Sequence, residues 1–435
     1  MHSIETPLIT MRVALILSVA ASVCCGGPLH RFDQLDGILK SFDVPLSFGH
    51  NISLIIGDES GELYSYTNGE MTMTEKRLLG SGSKWAATTA LLAMIHAANA
   101  SLDDKISKYL SYWTTDPADP RSQVTIRHFM TMTSGMVTDG TDGAMALNCT
   151  NPPPFNCSDG KMRAAVGPRM LGSFFGCAVP ALNKTHSECV QQLYKASPAI
   201  YPPGKYFAYA TLTFQYVAAA MEVALGKPID ELLKTYFLHP LNFTGTWTSR
   251  GSSLEPKFIV NPRIPLLGGG LSADALEMSR FMRRMLRRDF LPLALHEEQE
   301  HLDTTYAQFS TQNAIFGPYG MGIWGECLFG GDKMSMPPPC AAAKRITHPG
   351  CYGYWDFVSR RDGYYYSFLP SYTCSRANQW CGTGHPPPTP ESCPEIAYSL
   401  TFKNAIQGFL DDLFVGKANK AVEGGGSGAS PSTCS

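Results

Sequence analysis

The chain lacks charge of one dominant sign: 35 basic residues stand against 37 acidic ones over 435 residues. That balance excludes a field that would draw in nucleic acid or an anionic membrane surface, and leaves a small-molecule or peptide substrate as the partner to expect. The chain also lacks an apolar run long enough for a transmembrane anchor. The longest one at its start, Val13 to Cys25, has 13 residues where a spanning helix needs about 20. Cys-x-x-Cys pairs with zinc-type His partners are missing too, which removes the usual structural-metal reading of a cysteine-containing chain. No internal repeat is present.

What is present points to export. Met11-Arg12 precedes the short apolar run and Gly26-Gly27 closes it, the layout of a secretory signal peptide over residues 1–25, with cleavage expected between Ala21 and Gly27. Six N-x-[ST] sequons follow, at Asn51, Asn99, Asn148, Asn156, Asn183 and Asn242. Thirteen cysteines occur, and eleven remain once Cys24 and Cys25 leave with the signal. Four lie between Cys149 and Cys189 and six between Cys327 and Cys393, so two local disulfide sets are expected, with Cys434 left over. The expected product is a secreted, glycosylated, disulfide-bonded protein.

Along the chain, SLIIGDESGELYSYTNG reads as two strands around the turn residues Asp58 to Gly61. Leu78 to Ala100 reads as a buried helix, because no charge appears between Trp85 and Leu102 and Ala, Leu and Met dominate. Residues of about 102–255 read as mostly helical, and Met278 to Arg288 as an amphipathic helix. HPGCYGYWDFV and YYYSFL flank Arg361-Asp362-Gly363 as a hairpin, and a last helix covers Leu400 to Leu413 before a Gly/Ser-rich tail, 417–435. Strands at both ends with helices between them predict a mixed α and β fold: an antiparallel sheet flanked by helices, interrupted by a mostly helical inserted subdomain, together covering residues 29–416. The joint between such layers is a natural cleft.

One residue of the buried helix demands a function. Lys84 sits one turn after Ser81 at the start of the apolar run, and a cation beside apolar surface is costly unless it is paired or used. On a helix, residues three apart share a face, so the two side chains meet. An amine serves as general base for a serine only when neutral. Moving a lysine from its ordinary pKa near 10.4 to a working value of about 7 to 8 takes roughly 3 to 4 kcal/mol, more than the ~0.3 to 1 kcal/mol of a helix terminus. Burial must supply the rest. A second Ser-x-x-Lys, Ser158 to Lys161, lies in a polar loop where nothing would desolvate the amine.

Ser81-Gly82-Ser83-Lys84, with VTIRHFMTMTSGM at Val124 to Met136, resembles the serine β-lactamase and penicillin-binding-protein superfamily, especially its β-lactamase-related, class C-like esterase and peptidase branch. YPPGKYFAYATLTFQYVAAAMEVALGKPIDELL, GGGLSADALEMSRFMRRML, YGMGIW and His348-Pro349-Gly350 continue the likeness in family order over roughly residues 35 to 370. The resemblance implies that Ser81 is the nucleophile, Lys84 its base and Tyr209, in Tyr209-Ala210-Thr211, the relay of the proton to the leaving group. It also implies an oxyanion hole from the backbone N–H groups of Ser81 and Cys351, with Thr211, His348 and Gly350 lining the substrate site. No metal or organic cofactor is implied.

Two positions depart from the family pattern. Thr211 stands where most relatives have Asn, and His348-Pro349 replaces the Lys-Thr of the third motif, which removes a permanent cation and a hydroxyl for a substrate carboxylate. Both argue against efficient penicillin hydrolysis, and both favour the alternative, a non-catalytic secreted binding protein that keeps the fold. The intact Ser81, Lys84 and Tyr209 set favours a serine hydrolase acting on an ester or amide. His348, with an ordinary pKa near 6.5, is expected as a neutral donor or a structural histidine. The segment from His296 to His301 imitates a zinc motif, but its histidines are five apart and it reads as a solvated acidic stretch.

Overall fold

A computed structural model describes residues 32–41, 52–136, 261–302, 345–350 and 352–370, with most of 173–249, 318–325 and 402–414. The expected signal peptide, the tail, Cys351, the second Ser-x-x-Lys and the sequons at Asn51, Asn148 and Asn156 lie outside the described residues. In chain order the longer elements are α1 (Asp33–Ser41), β1 (Ile52–Asp58), β2 (Gly61–Asn68), β3 (Arg77–Leu78) and α2 (Ser83–Ala97). The helical middle follows with α3 (Ile126–Met130), α4 (His186–Ala196), α5 (Thr213–Leu225) and α6 (Ile229–Leu233), the last running into one π-turn. Then come β4 (Thr246–Trp247), β5 (Leu271–Ala273), α7 (Ala275–Arg287), α8 (Leu293–Glu300), β6 (Trp324–Gly325), β7 (Arg345–Thr347), β8 (Trp355–Ser359) and β9 (Tyr364–Pro370).

Six strands form one antiparallel sheet in the order β2-β1-β9-β8-β7-β6, and β3-β5-β4 form a small second one. The first and last thirds of the chain therefore interleave: β1 pairs with its hairpin partner β2 on one side and with β9 on the other. Side chains alternate across each strand, and both faces are covered. Leu35 and Leu39 of α1, with Phe402, Ile406, Leu410 and Phe414, cover one face against Leu54, Phe357 and Tyr366. The other face packs on α7 and the helical layers, with Ile55, Tyr365 and Leu369 in the same core as Met278, Phe281 and Met282. The expected mixed fold and both hairpins are present.

Local chemistry fixes the helix ends. Asp274 caps α7 by accepting from Glu277 N while Glu277 accepts from Asp274 N, a reciprocal box typically worth about 1 kcal/mol for its capping bond, and Lys76 pairs with both acids. Thr125 with His128, and Thr185 with Glu188, cap α3 and α4 the same way. Of the two expected disulfide sets, the first yields Cys177–Cys189; the cysteines of the second lie outside the described residues. The Asn side chains of the sequons at Asn99, Asn183 and Asn242 are exposed, each at a left-handed turn.

Two expectations need correction. The apolar helix begins at Ser83, not Leu78: Gly80 has φ +56°, a left-handed conformation that breaks the run, and Gly80–Gly82 form a 3₁₀ turn. The His296–His301 segment is only half solvated. His296 is fully buried and its Nε2 accepts from Leu291 N at 3.0 Å, while Gln299 is buried among Thr88, Thr89 and the Met321 carbonyl. Burial pushes the His296 imidazole down to about 4, so it stays neutral. Among the described residues no helix is long and apolar enough to cross a membrane, and no group of acids, His or Cys is arranged to hold a metal.

Candidate active site

The 3₁₀ turn and the first turn of α2 place Ser81 and Lys84 side by side: Lys84 Nζ lies 3.0 Å from Ser81 Oγ. The helix argument for their meeting survives the corrected helix start, because the tight turn feeds directly into α2. Ser81 is partly accessible, whereas Lys84 has 0 % exposure. The amine donates 2.8 Å to the Gly268 carbonyl and lies 4.5 Å from the centre of the Tyr209 ring. Ser83 completes the turn: its buried hydroxyl accepts from Leu271 N at 2.9 Å, while Leu79 N donates to Leu271 O. These bonds dock the serine turn onto β5 and the glycine run before it.

Tyr209, 6 % exposed, stacks on Trp324 at 5.7 Å between ring centres and meets Tyr319 edge-on at 6.0 Å. His348 closes this aromatic group. Its Nε2 lies 3.4 Å from both Tyr209 Oη and Tyr319 Oη, and its Nδ1 lies 3.2 Å from the Pro349 carbonyl. A carbonyl can only accept, so the Nδ1–H donates to Pro349 O and Nε2 is left to accept from the phenols. Burial holds the imidazole well below its usual range. His348 is therefore neutral, a hydrogen-bonded histidine whose Nδ1–H goes to a backbone carbonyl and whose Nε2 faces the tyrosines as an acceptor, and it supplies no cation.

Thr211, half-buried, lies with its backbone against Gly268. The Lys84 amine is thus oriented by the carbonyl of a residue that sequence reading left without a role, although it opens the GGGLSADALEMSRFMRRML stretch. Gly350 lies where the last described strands meet the serine turn: a Cβ there would stand 1.8 Å from Leu79 O, so only glycine permits this approach. The structure thus gathers Ser81, Lys84, Tyr209, Thr211, His348 and Gly350 around one junction between α2, the glycine run and β7. Cys351, the expected second oxyanion donor, lies outside the described residues.

YGMGIW belongs to the same junction. Thr88 Oγ1, one turn beyond Lys84 on α2, bonds the Met321 carbonyl at 2.9 Å, which ties the segment bearing Tyr319 and Trp324 to α2. A buried, oriented amine beside an accessible hydroxyl can carry out nucleophilic chemistry by general-base assistance.

Comparison with known proteins bears on the fold. A putative β-lactamase from Bacteroides dorei has 19 % sequence identity and a TM-score of 0.56, with 85 % of this chain and 98 % of that one covered. EstCE1, a hydrolase with promiscuous acyltransferase activity, gives 16 % and 0.57, covering 87 % and 99 %. A D-stereospecific amidohydrolase from Streptomyces gives 16 % and 0.51, covering 80 % and 99 %. At these identities the likeness is one of fold. No curated protein matches the chain. The Beta-lactamase family model matches residues 55–368, well over half of the sequence, and with the Ser81–Lys84 junction inside that span the chain belongs to the Beta-lactamase family.

Proposed function

We propose that the protein is a secreted serine hydrolase that cleaves an ester or amide through an acyl-enzyme on Ser81. The observation that carries this reading is the 3.0 Å contact between a partly accessible serine hydroxyl and a fully buried lysine amine. Burial in a low-dielectric surround disfavours the ammonium, and a neutral Lys84 takes the Ser81 proton as Oγ attacks the carbonyl carbon. The Gly268 carbonyl holds the amine in place by accepting one N–H, which leaves its lone pair for the serine. Tyr209 relays that proton from Lys84 to the leaving group, giving up its own and taking the one Lys84 holds, and water then releases the acid from Ser81 by the reverse path.

Pro349 and the neutral His348 favour a substrate without a carboxylate beside the scissile bond, so an ester is preferred over a penicillin. The hydrolase fold of EstCE1 and of the Streptomyces amidohydrolase is compatible with both bond types. A fluorophosphonate probe tests the reading. It should add mass to the peptide containing Ser81, and Ser81→Ala should abolish labelling; an unlabelled wild-type protein of native fold would establish the non-catalytic alternative.

A further inference from the structure

A fully buried carboxyl group stands directly behind the site, and the mechanism above does not use it. Asp356 is the second residue of β8, and its neighbours Trp355 and Phe357 face the outer core while Tyr354 and Val358 face the helices. Strand alternation therefore turns Asp356 toward the helical side, where the serine turn sits. Its exposure is 0 %, and among the described residues no Lys or Arg forms an ion pair with it. Such a group is expensive to bury without a purpose.

Its hydrogen bonds supply that purpose. Asp356 Oδ1 accepts from the backbone N–H of His348 at 2.6 Å, at the end of the β7–β8 ladder where regular pairing has stopped. Oδ2 accepts from the Tyr354 hydroxyl at 3.3 Å. The Tyr354 ring lies under the serine turn so closely that a Cβ on Gly82 would stand 2.2 Å from its Cδ1. The Tyr354 carbonyl accepts from Gly350 N at 2.8 Å, and Gly350 in turn abuts Leu79 O and Gly82 N. One carboxyl thus grips the strand His348–Gly350 and, through a phenol, the floor beneath the residue that follows Ser81.

We propose that Asp356 is a positioning residue for acyl transfer: it sets the spacing between the Ser81 turn and the His348–Gly350 strand. The proposal rests on the acyl-enzyme reading given above. A misplacement of about 1 Å at such a site can cost 10²-fold in rate, so the carboxyl acts on rate although it touches no substrate.

The same group gives the site an alkaline limit. Burial raises the Asp356 carboxyl to about 8, against the lowering effect of its hydrogen bonds from His348 N and Tyr354. The groups around it keep their charge state in that range: burial holds the His348 ring neutral and pushes the Tyr354 phenol well above its usual value. Below pH 8 the neutral acid accepts the His348 N–H on Oδ1 and carries its proton on the Oδ2 that faces Tyr354; above it, a buried anion behind the serine turn opposes negative charge developing there.

The test measures fluorophosphonate labelling and p-nitrophenyl ester turnover by the full chain from pH 5 to 10, for the wild type, Asp356→Ala and Asp356→Asn. Asp356→Ala should lower kcat by roughly 10- to 100-fold with KM little changed. Asn retains an oxygen that accepts the His348 N–H, so Asp356→Asn should recover the rate to within about threefold at pH 7 and lose the fall above pH 8. If Asp356→Ala does not fold, the pH profile of Asp356→Asn decides alone. A wild type that labels, with variants matching it in rate and pH profile, overturns the proposal and leaves the acyl-enzyme reading intact. A wild type that never labels overturns both.

Discussion

Lys84 carries its amine 4.5 Å from the centre of the Tyr209 ring, 125 positions away in the chain, and both side chains are withdrawn from solvent. The amine, the phenol ring and the Ser81 hydroxyl therefore lie together across two layers of the fold. The Ser81 contact reaches the solvent side of that group, while the Gly268 contact anchors its interior.

Lys84→Met keeps the length and apolar stem of the side chain and deletes the base. Ester turnover and fluorophosphonate labelling should fall by about 10²- to 10⁴-fold, the range for loss of a general base. Thermal denaturation should show a protein at least as stable, because the replacement removes a buried polar group; unchanged labelling would assign the proton to another acceptor.

Tyr209→Phe leaves the stack on Trp324 in place and removes only the hydroxyl that faces His348 Nε2. Expected is a drop in kcat of about 10²-fold or more with KM nearly constant, and a stability change within about 1.5 kcal/mol. Steady-state kinetics with a p-nitrophenyl ester, paired with a melting curve, separates the relay role from a packing role.

Asp356→Asn also changes the pH dependence of stability. The carboxyl titrates near 8 in the folded chain against an ordinary value of 3.8, so the folded state holds its proton more tightly than the unfolded one. Its contribution is complete below about pH 4 and is lost as pH rises toward 8. The melting temperature of Asp356→Asn relative to wild type should rise across pH 4 to 8 and level off above it, read by scanning fluorimetry in a pH series.

Arg345→Ala breaks a buried ion-pair group away from the site. Arg345 Nη2 bonds Asp362 Oδ2 at 2.9 Å and Asp411 Oδ1 at 2.7 Å, joining β7 to the helix over 405–414. Its removal leaves Asp411 without its cation, while Asp362 keeps Arg361, and should cost about 3 kcal/mol, measured by urea denaturation. Labelling of Ser81 in the folded fraction should persist.

Much of this architecture is legible in sequence where a local pattern dictates it. Alternation flanking Asp58 to Gly61 and Arg361 to Gly363 gives both hairpins, and the apolar content of α2 gives its burial. The helix start is misread because composition is blind to Gly80, whose positive φ decides where the helix can begin. The Ser81–Lys84 pair is visible because both partners lie within one turn. Gly268 and Asp356 are not: a backbone carbonyl 184 positions from the amine it holds leaves no residue-type signature, and a single aspartate in an aromatic strand resembles any other. The roles of His348 and Pro349 depended on neighbours, since only the carbonyl beside Nδ1 settles which nitrogen carries the proton.

Because β1 is flanked by β2 on one side and β9 on the other, its second edge stays open during synthesis until residues 364–370 have left the ribosome. For some three hundred codons the nascent chain carries a bare strand of Ile and Leu, the kind of edge that invites pairing with other chains. Ser81 emerges early, yet the strand that faces it is among the last segments made. The junction around Ser81 can therefore form only after both ends of the sheet have been made.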